Sequence, residues 1–150
     1  MLPFDMFSGR GRQRLGAPPN WSNSRHGCGL AVMQKTGQHR CAYCGVDLTH
    51  DYYSWLLLNV DHVVPKAMWD RLGIPNELGD DFSNLALACS GCNPFCNRDD
   101  YPEEAMPVGG WTDEVFFALR DRVFQKRYAR IAERRMREMR FFDSRPWLQY

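Results

Sequence analysis

Long apolar runs are missing from this chain, and segments such as Trp55-Leu56-Leu57-Leu58 stop after a few residues. A membrane-spanning helix needs about 20 consecutive apolar residues, so a membrane protein is not expected. The opening residues Met1-Leu2-Pro3-Phe4-Asp5 also lack the basic start and apolar core of a secretory signal, which makes a cytoplasmic, intracellular setting the expectation. Net charge is nearly absent too, at +1, which argues against a uniformly basic nucleic-acid coat. There is no internal repeat, and 150 residues suffice for one compact domain but not comfortably for two.

What is present is ordinary globular composition, 44% hydrophobic and 25% charged, with six cysteines. Four of these form two Cys-x-x-Cys pairs, Cys41/Cys44 and Cys89/Cys92. In a reducing compartment such pairs point to metal ligation rather than to disulfides. Charge is segregated along the chain: residues 1–40 carry +5, residues 41–114 carry −10 and residues 115–150 carry +6. An acidic centre between basic ends fits a cation-binding core flanked by anion-attracting surfaces, or simply three solvated faces.

Residues 1–27 mix Gly, Arg and Pro with little to bury and are expected to form a mobile basic arm. A short helix is expected over residues 30–36, ending at Gly37. The apolar segment 54–64 reads as a buried strand that stops at Pro65, followed by a short helix over 65–72 closed by Gly73 and a polar loop to Asp81. Residues 84–89 form a second apolar element, and Ser90-Gly91-Cys92-Asn93 is expected to open a helix. Thr112 is placed to cap a long helix reaching about Arg140, with Phe117, Phe124, Tyr128 and Ile131 as its apolar stripe and arginines elsewhere.

Each Cys-x-x-Cys spacing lets two thiolates of one tight turn reach the same tetrahedral Zn²⁺, so Cys41, Cys44, Cys89 and Cys92 form a candidate structural zinc site. Cys28 and Cys96 are left over as packed thiols, with Cys96 an alternative ligand. Asp61-His62 is a carboxylate beside an imidazole, and consecutive strand residues point to opposite faces unless a bulge or strand end re-aims one of them. The pair suits a division of labour between holding a divalent cation and taking a proton from water, or a plain structural contact. Asp80-Asp81 and Asp99-Asp100 could supply a second metal site, with a solvated loop as the default reading.

Taken in order, Cys41-x-x-Cys44-Gly45, Val60-Asp61-His62-Val63-Val64-Pro65, Asp81-Phe82-Ser83-Asn84-Leu85 and Cys89-x-x-Cys92-Asn93 resemble the zinc-containing HNH endonuclease family across residues 35–98. The resemblance implies an α+β fold, the ββα-metal motif: a small two-stranded hairpin plus a helix, here with a four-cysteine zinc knuckle and a long C-terminal helix. Together with the composition and patterning of the two ends, it gives three expected parts: the basic arm 1–27, the nuclease core 28–110 and a basic helical extension 111–150. By position, Asp61 resembles the family's metal-binding acid, His62 its general base and Asn84 the brace of the base-bearing loop. Asn93 falls at the last ligand, with Asp61, of a catalytic Mg²⁺ or similar divalent ion. Arg98 stands near the place where relatives carry a lysine and is expected to meet a phosphate; Arg134, Arg135 and Arg137 on the terminal helix either grip phosphates as well or simply keep a long helix soluble. The implied activity is hydrolysis of phosphodiester bonds in DNA, RNA not being excluded. Two alternatives stand beside it: a non-catalytic zinc-stabilised nucleic-acid-binding module, and the nuclease subunit of a larger phage, restriction or mobile-element machine.

Overall fold

The computed structural model describes residues 25–95 and 101–148. Most of the expected basic arm, together with Cys96, Arg98, Asp99 and Asp100, lies outside the described residues.

A π-helical turn, Arg25–Gly29, runs into helix α1, Leu30–Thr36. Helix α1 ends where Gly37 takes a left-handed φ of 66° and its N–H closes on Met33. The first Cys-x-x-Cys turn follows. Helix α2, Tyr52–Leu56, comes next, and its N-terminus is capped by the Asp51 carboxylate accepting from the Ser54 N–H at 2.7 Å. The strand expected over 54–64 is therefore shorter: that cap holds the first residues helical, and β1 is Leu58–His62. Helix α3, Lys66–Leu72, starts after Pro65 and ends at Gly73, again left-handed at φ 60°. The expected polar loop contains a one-turn helix α4, Asn76–Gly79, before strand β2, Leu85–Cys89.

The two strands pair antiparallel, with Leu58 opposite Cys89 and His62 opposite Leu85, and residues 63–84 connect them. Where a helix was expected to open at Ser90, the described residues 90–95 form a series of turns, in which the Cys92 and Asn93 N–H groups both return to the Cys89 carbonyl at 2.9 Å.

The long helix α5, Asp113–Asp143, begins with Thr112 Oγ1 accepting from the Val115 N–H at 3.3 Å. Its buried stripe is Phe116, Leu119, Arg120, Val123, Phe124, Arg127 and Ile131. Of the residues expected there, Phe124 and Ile131 are buried, Phe117 is half-buried and Tyr128 is exposed. The stripe is shifted because the helix packs on two clusters at once. Phe116, Leu119 and Val123 join Val64, Met68, Trp69, Leu72, Ile74, Leu78 and Tyr101, the layer around α3 and α4. Phe124 and Ile131 join β2, Leu58, Val32 and the cysteine turns. Every residue of β2 is buried, so the strand is covered on both faces and reads as a continuous apolar run rather than an alternating one.

Candidate active site and cysteine cluster

The four knuckle cysteines come from two turns that β2 brings together. The Ala42 N–H donates to the Leu87 carbonyl at 2.8 Å, which pins the first turn against the strand that leads into the second. Gly45 closes the first turn: its N–H returns to the Cys41 carbonyl at 2.9 Å, and its φ of 74° belongs to the left-handed region that glycine enters without steric penalty. As a result the Sγ atoms of Cys41, Cys44, Cys89 and Cys92 all lie within 4.8 Å of one another. That is the donor set of a tetrahedral soft-cation site, and it can bind zinc. Hydrogen bonding among the four sulfurs shifts their acidity: at Cys41 the bond to Cys44 raises the pKa but those to Cys89 and Cys92 bring it down to about 6, Cys44 is pulled far below the ordinary thiol range, and Cys89 and Cys92 are pushed up. Cys28 stands apart in the apolar cluster, its thiol pushed up to about 11 by burial and then by the charge of Asp80.

At the other end of the strand pair, Asp61 and His62 take opposite faces of β1, as alternation demands. Asp61 points inward and is 3% exposed. Its Oδ2 accepts from the Tyr43 hydroxyl and lies 2.9 Å from Arg127 Nη1, while its Oδ1 accepts from Arg127 Nη2 at 3.1 Å. The same guanidinium donates to the carbonyls of His62 at 2.8 Å and Val63 at 3.0 Å and lies 5.3 Å from the Tyr43 ring. One arginine from the middle of α5 thus holds the end of β1. Burial pushes the Asp61 carboxyl above its ordinary range, with Arg127 and Tyr43 opposing that shift. Burial works against the Arg127 charge, yet the Asp61 carboxylate and Tyr43 outweigh it and raise the guanidinium further.

His62 faces the outside at the strand end, with its side chain 26% exposed. Its Nε2 lies 3.3 Å from Asp80 Oδ1, its ring meets the Trp69 indole edge-on at 5.5 Å, and Lys66 Nζ is 3.8 Å from the same Asp80 oxygen. Burial, and after it the nearby Lys66 charge, holds the imidazole below its usual pKa against the pull of Asp80, so the ring is neutral near pH 7.

Asn84 organises this face from beneath. Its Oδ1 accepts from the Val64 N–H at 2.8 Å, and its Nδ2 donates to the Gly79 carbonyl at 2.8 Å and to the Val64 carbonyl at 3.2 Å. Its own carbonyl accepts from the Val63 N–H at 2.8 Å. A single buried carboxamide therefore ties the residues just after His62 to the residue just before Asp80. Gly79 makes the approach possible, since a Cβ there would lie 2.5 Å from Trp69 Cε2 and Cζ2.

Asn93 is half-buried in the second cysteine turn. Of the arginines assigned to phosphate contact, Arg134 lies 4.0 Å from the centre of the Phe95 ring and 3.9 Å from Glu138, and Arg137 is 3.8 Å from Glu133. Arg135 is half-buried. Asp80, Tyr43 and Arg127 carried no role in the sequence. The signal for Arg127 was there, since it falls on the turn-by-turn stripe with Phe116, Val123, Phe124 and Ile131, where a charged residue must have a buried partner. Asp80 carried no comparable signal.

Residues 41–94 match the family model of the HNH endonuclease. No curated protein and no solved structure shows significant similarity to the chain. Among the described residues, no helix is long and apolar enough to cross a membrane.

Proposed function

We propose that the chain is an HNH-type endonuclease that hydrolyses phosphodiester bonds in DNA, with His62 as general base. The match of residues 41–94 to the HNH endonuclease is the observation that carries this. It is supported by a neutral, partly exposed imidazole at the end of β1 and by Asn84 bracing the segment that follows it. His62 takes a proton from water as the water oxygen bonds to phosphorus and the bond to the departing oxygen breaks, that oxygen taking a proton from solvent to leave as a hydroxyl. Lys66, exposed and beside Asp80, is the cation on this face placed to meet a phosphate oxygen. Zinc held by Cys41, Cys44, Cys89 and Cys92 would join the two ends of the central segment and supply folding free energy. Arg98, Arg134, Arg135 and Arg137 would add backbone affinity.

Asp61 and Asn93 are the positions that the family resemblance gives to a catalytic Mg²⁺ or similar ion. Asp61 does not fit that task in this arrangement. Both its oxygens are engaged by Tyr43 and Arg127, and the guanidinium already balances its charge. The same observation favours the second function, a non-catalytic zinc module in which Asp61 is structural.

Supercoiled plasmid and a single-stranded RNA, each incubated with the zinc-loaded protein across a titration of Mg²⁺, Mn²⁺, Ni²⁺ and Zn²⁺, separate the two. The parent should cut DNA, and His62→Ala should lose about 10²–10⁴-fold in rate while keeping its zinc and its DNA affinity. A folded parent that binds DNA but cuts neither nucleic acid overturns a self-sufficient nuclease in favour of a binding module or a subunit of a larger machine, and a His62→Ala variant as fast as the parent removes this residue as the base.

A further inference from the structure

On the footing of that nuclease assignment, we propose that Asp80 is the positioning residue for His62, the carboxylate that fixes which ring nitrogen takes the proton. The carboxylate next to His62 in sequence is on the wrong face of β1 and is spent on Arg127 and Tyr43. The one that shares its face comes from the far end of the connecting segment. Asp80 Oδ1 lies 3.3 Å from His62 Nε2, a distance at which Nε2–H donates to the carboxylate and Nδ1 keeps its lone pair for a substrate water.

Three independent features hold Asp80 there. Asn84 bonds both Val64 and the Gly79 carbonyl, so the backbone flanking His62 and Asp80 moves as one piece. Gly79 presses against the Trp69 indole, where any side chain would collide, and Trp69 in turn donates its Nε1–H to the Val64 carbonyl at 3.0 Å and packs edge-on against the His62 ring. Lys66 approaches the same oxygen, Asp80 Oδ1, from the α3 side at 3.8 Å and lies 5.3 Å from the Trp69 ring. The charged groups facing His62 are thus Asp80 and Lys66 on the open side and Arg127 behind its carbonyl. Asp80 is 45% exposed, so its contribution is orientation and choice of tautomer rather than a strong buried charge.

The test combines kinetics with ¹⁵N-edited NMR of the His62 ring in the zinc-loaded full chain. Asp80→Ala should lower kcat by about 10- to 100-fold with KM unchanged, the scale expected when a reacting group is misplaced rather than removed. Asp80→Glu, which keeps a carboxylate within reach, should recover part of the loss. Asp70→Asn, the same charge change on the exposed side of α3, should leave kcat at the parent value. In the parent the His62 ring at neutral pH should show a single Nε2–H tautomer, and in Asp80→Ala an average of the two. Parent-like kcat in Asp80→Ala, no recovery in Asp80→Glu, or an Nδ1–H tautomer in the parent would overturn the assignment. A parent that never cuts nucleic acid defeats the self-sufficient nuclease, whereas the tautomer measurement still decides whether Asp80 holds the ring.

Discussion

The Asp61–Arg127 pair should behave as one energetic unit, and a double-mutant cycle in urea reads that directly. Both side chains are almost completely buried, at 3% and 0% exposure. Removing one member of such a pair leaves an uncompensated charge in a low-dielectric interior, which costs about 3–5 kcal/mol. The two single losses should not be equal. Asp61→Asn leaves the guanidinium still bonded to the His62 and Val63 carbonyls and still over the Tyr43 ring. Arg127→Met leaves the buried Asp61 carboxylate without a counter-charge, with the Tyr43 hydroxyl still donating to it, and takes the guanidinium donors from two carbonyls, a buried polar group left unbonded costing about 1–3 kcal/mol. The arginine variant should therefore be the less stable single variant. With a urea m-value of about 2 kcal/mol/M, a loss of 3 kcal/mol moves the midpoint down by about 1.5 M. The double variant, Asp61→Asn with Arg127→Met, buries no charge and should lose less than the two singles together, with a coupling of about 1–3 kcal/mol. Saturating Zn²⁺ must be kept throughout, because release of an ion on unfolding adds its own linkage. Additivity within about 0.5 kcal/mol would refute the pairing, and so would an Arg127→Met protein whose unfolding midpoint is unmoved.

Elemental analysis should find one zinc per chain, and Cys41→Ser or Cys92→Ser should unfold the core rather than only slow cleavage, so a zinc-free chain of full thermal stability would contradict the cluster's role. Gly79→Ala forces a Cβ to within 2.5 Å of Trp69 and should cost about 1–3 kcal/mol by overpacking, seen as a lower Tm together with altered Trp fluorescence. Because His62 is held below its usual pKa in the folded chain, the unfolded chain binds more protons between that lowered value and 6.5. This group's contribution is therefore complete above pH 6.5 and falls away on acidification toward the lowered pKa, a slope that His62→Ala should remove from a stability-versus-pH titration. The acid limb of kcat/KM should lie below pH 6.5 for the same reason. Exchanging Arg134, Arg135 and Arg137 for Gln should flatten the log–log salt dependence of DNA binding by up to about 0.9 for each phosphate no longer neutralised, and an unchanged slope would show that this part of α5 faces away from DNA.

Much of the local structure was legible in the chain because it depends on neighbours in sequence. Gly37 and Gly73 end helices where left-handed backbone is needed, Thr112 starts α5, and the two Cys-x-x-Cys turns carry their own ligand geometry. Asn84 stands out within its motif, and its carboxamide bonds reach Val64 and Gly79. What failed locally did so where a short-range hydrogen bond overrode an apolar pattern. Asp51 turned the start of the expected strand into α2.

The sequence by itself determined that two thiol pairs would meet at one ion-sized point and that an acid and an imidazole would be adjacent on a strand. Alternation along that strand sends the acid and the imidazole to opposite sides, but it does not say which side is the interior. Only the packing of α5 decided that. By bringing Arg127 and the ring of Tyr43 to one face of β1, it buried that face, where a carboxylate such as Asp61 needs a charged partner. His62 was left on the other face, where the connecting segment, folded back by Asn84 and pressed onto Trp69, delivered Asp80. Residues 61 and 127 are far apart in the chain, as are 62 and 80 on a smaller scale, and contacts of that kind depend on the closure of the whole core rather than on any local preference.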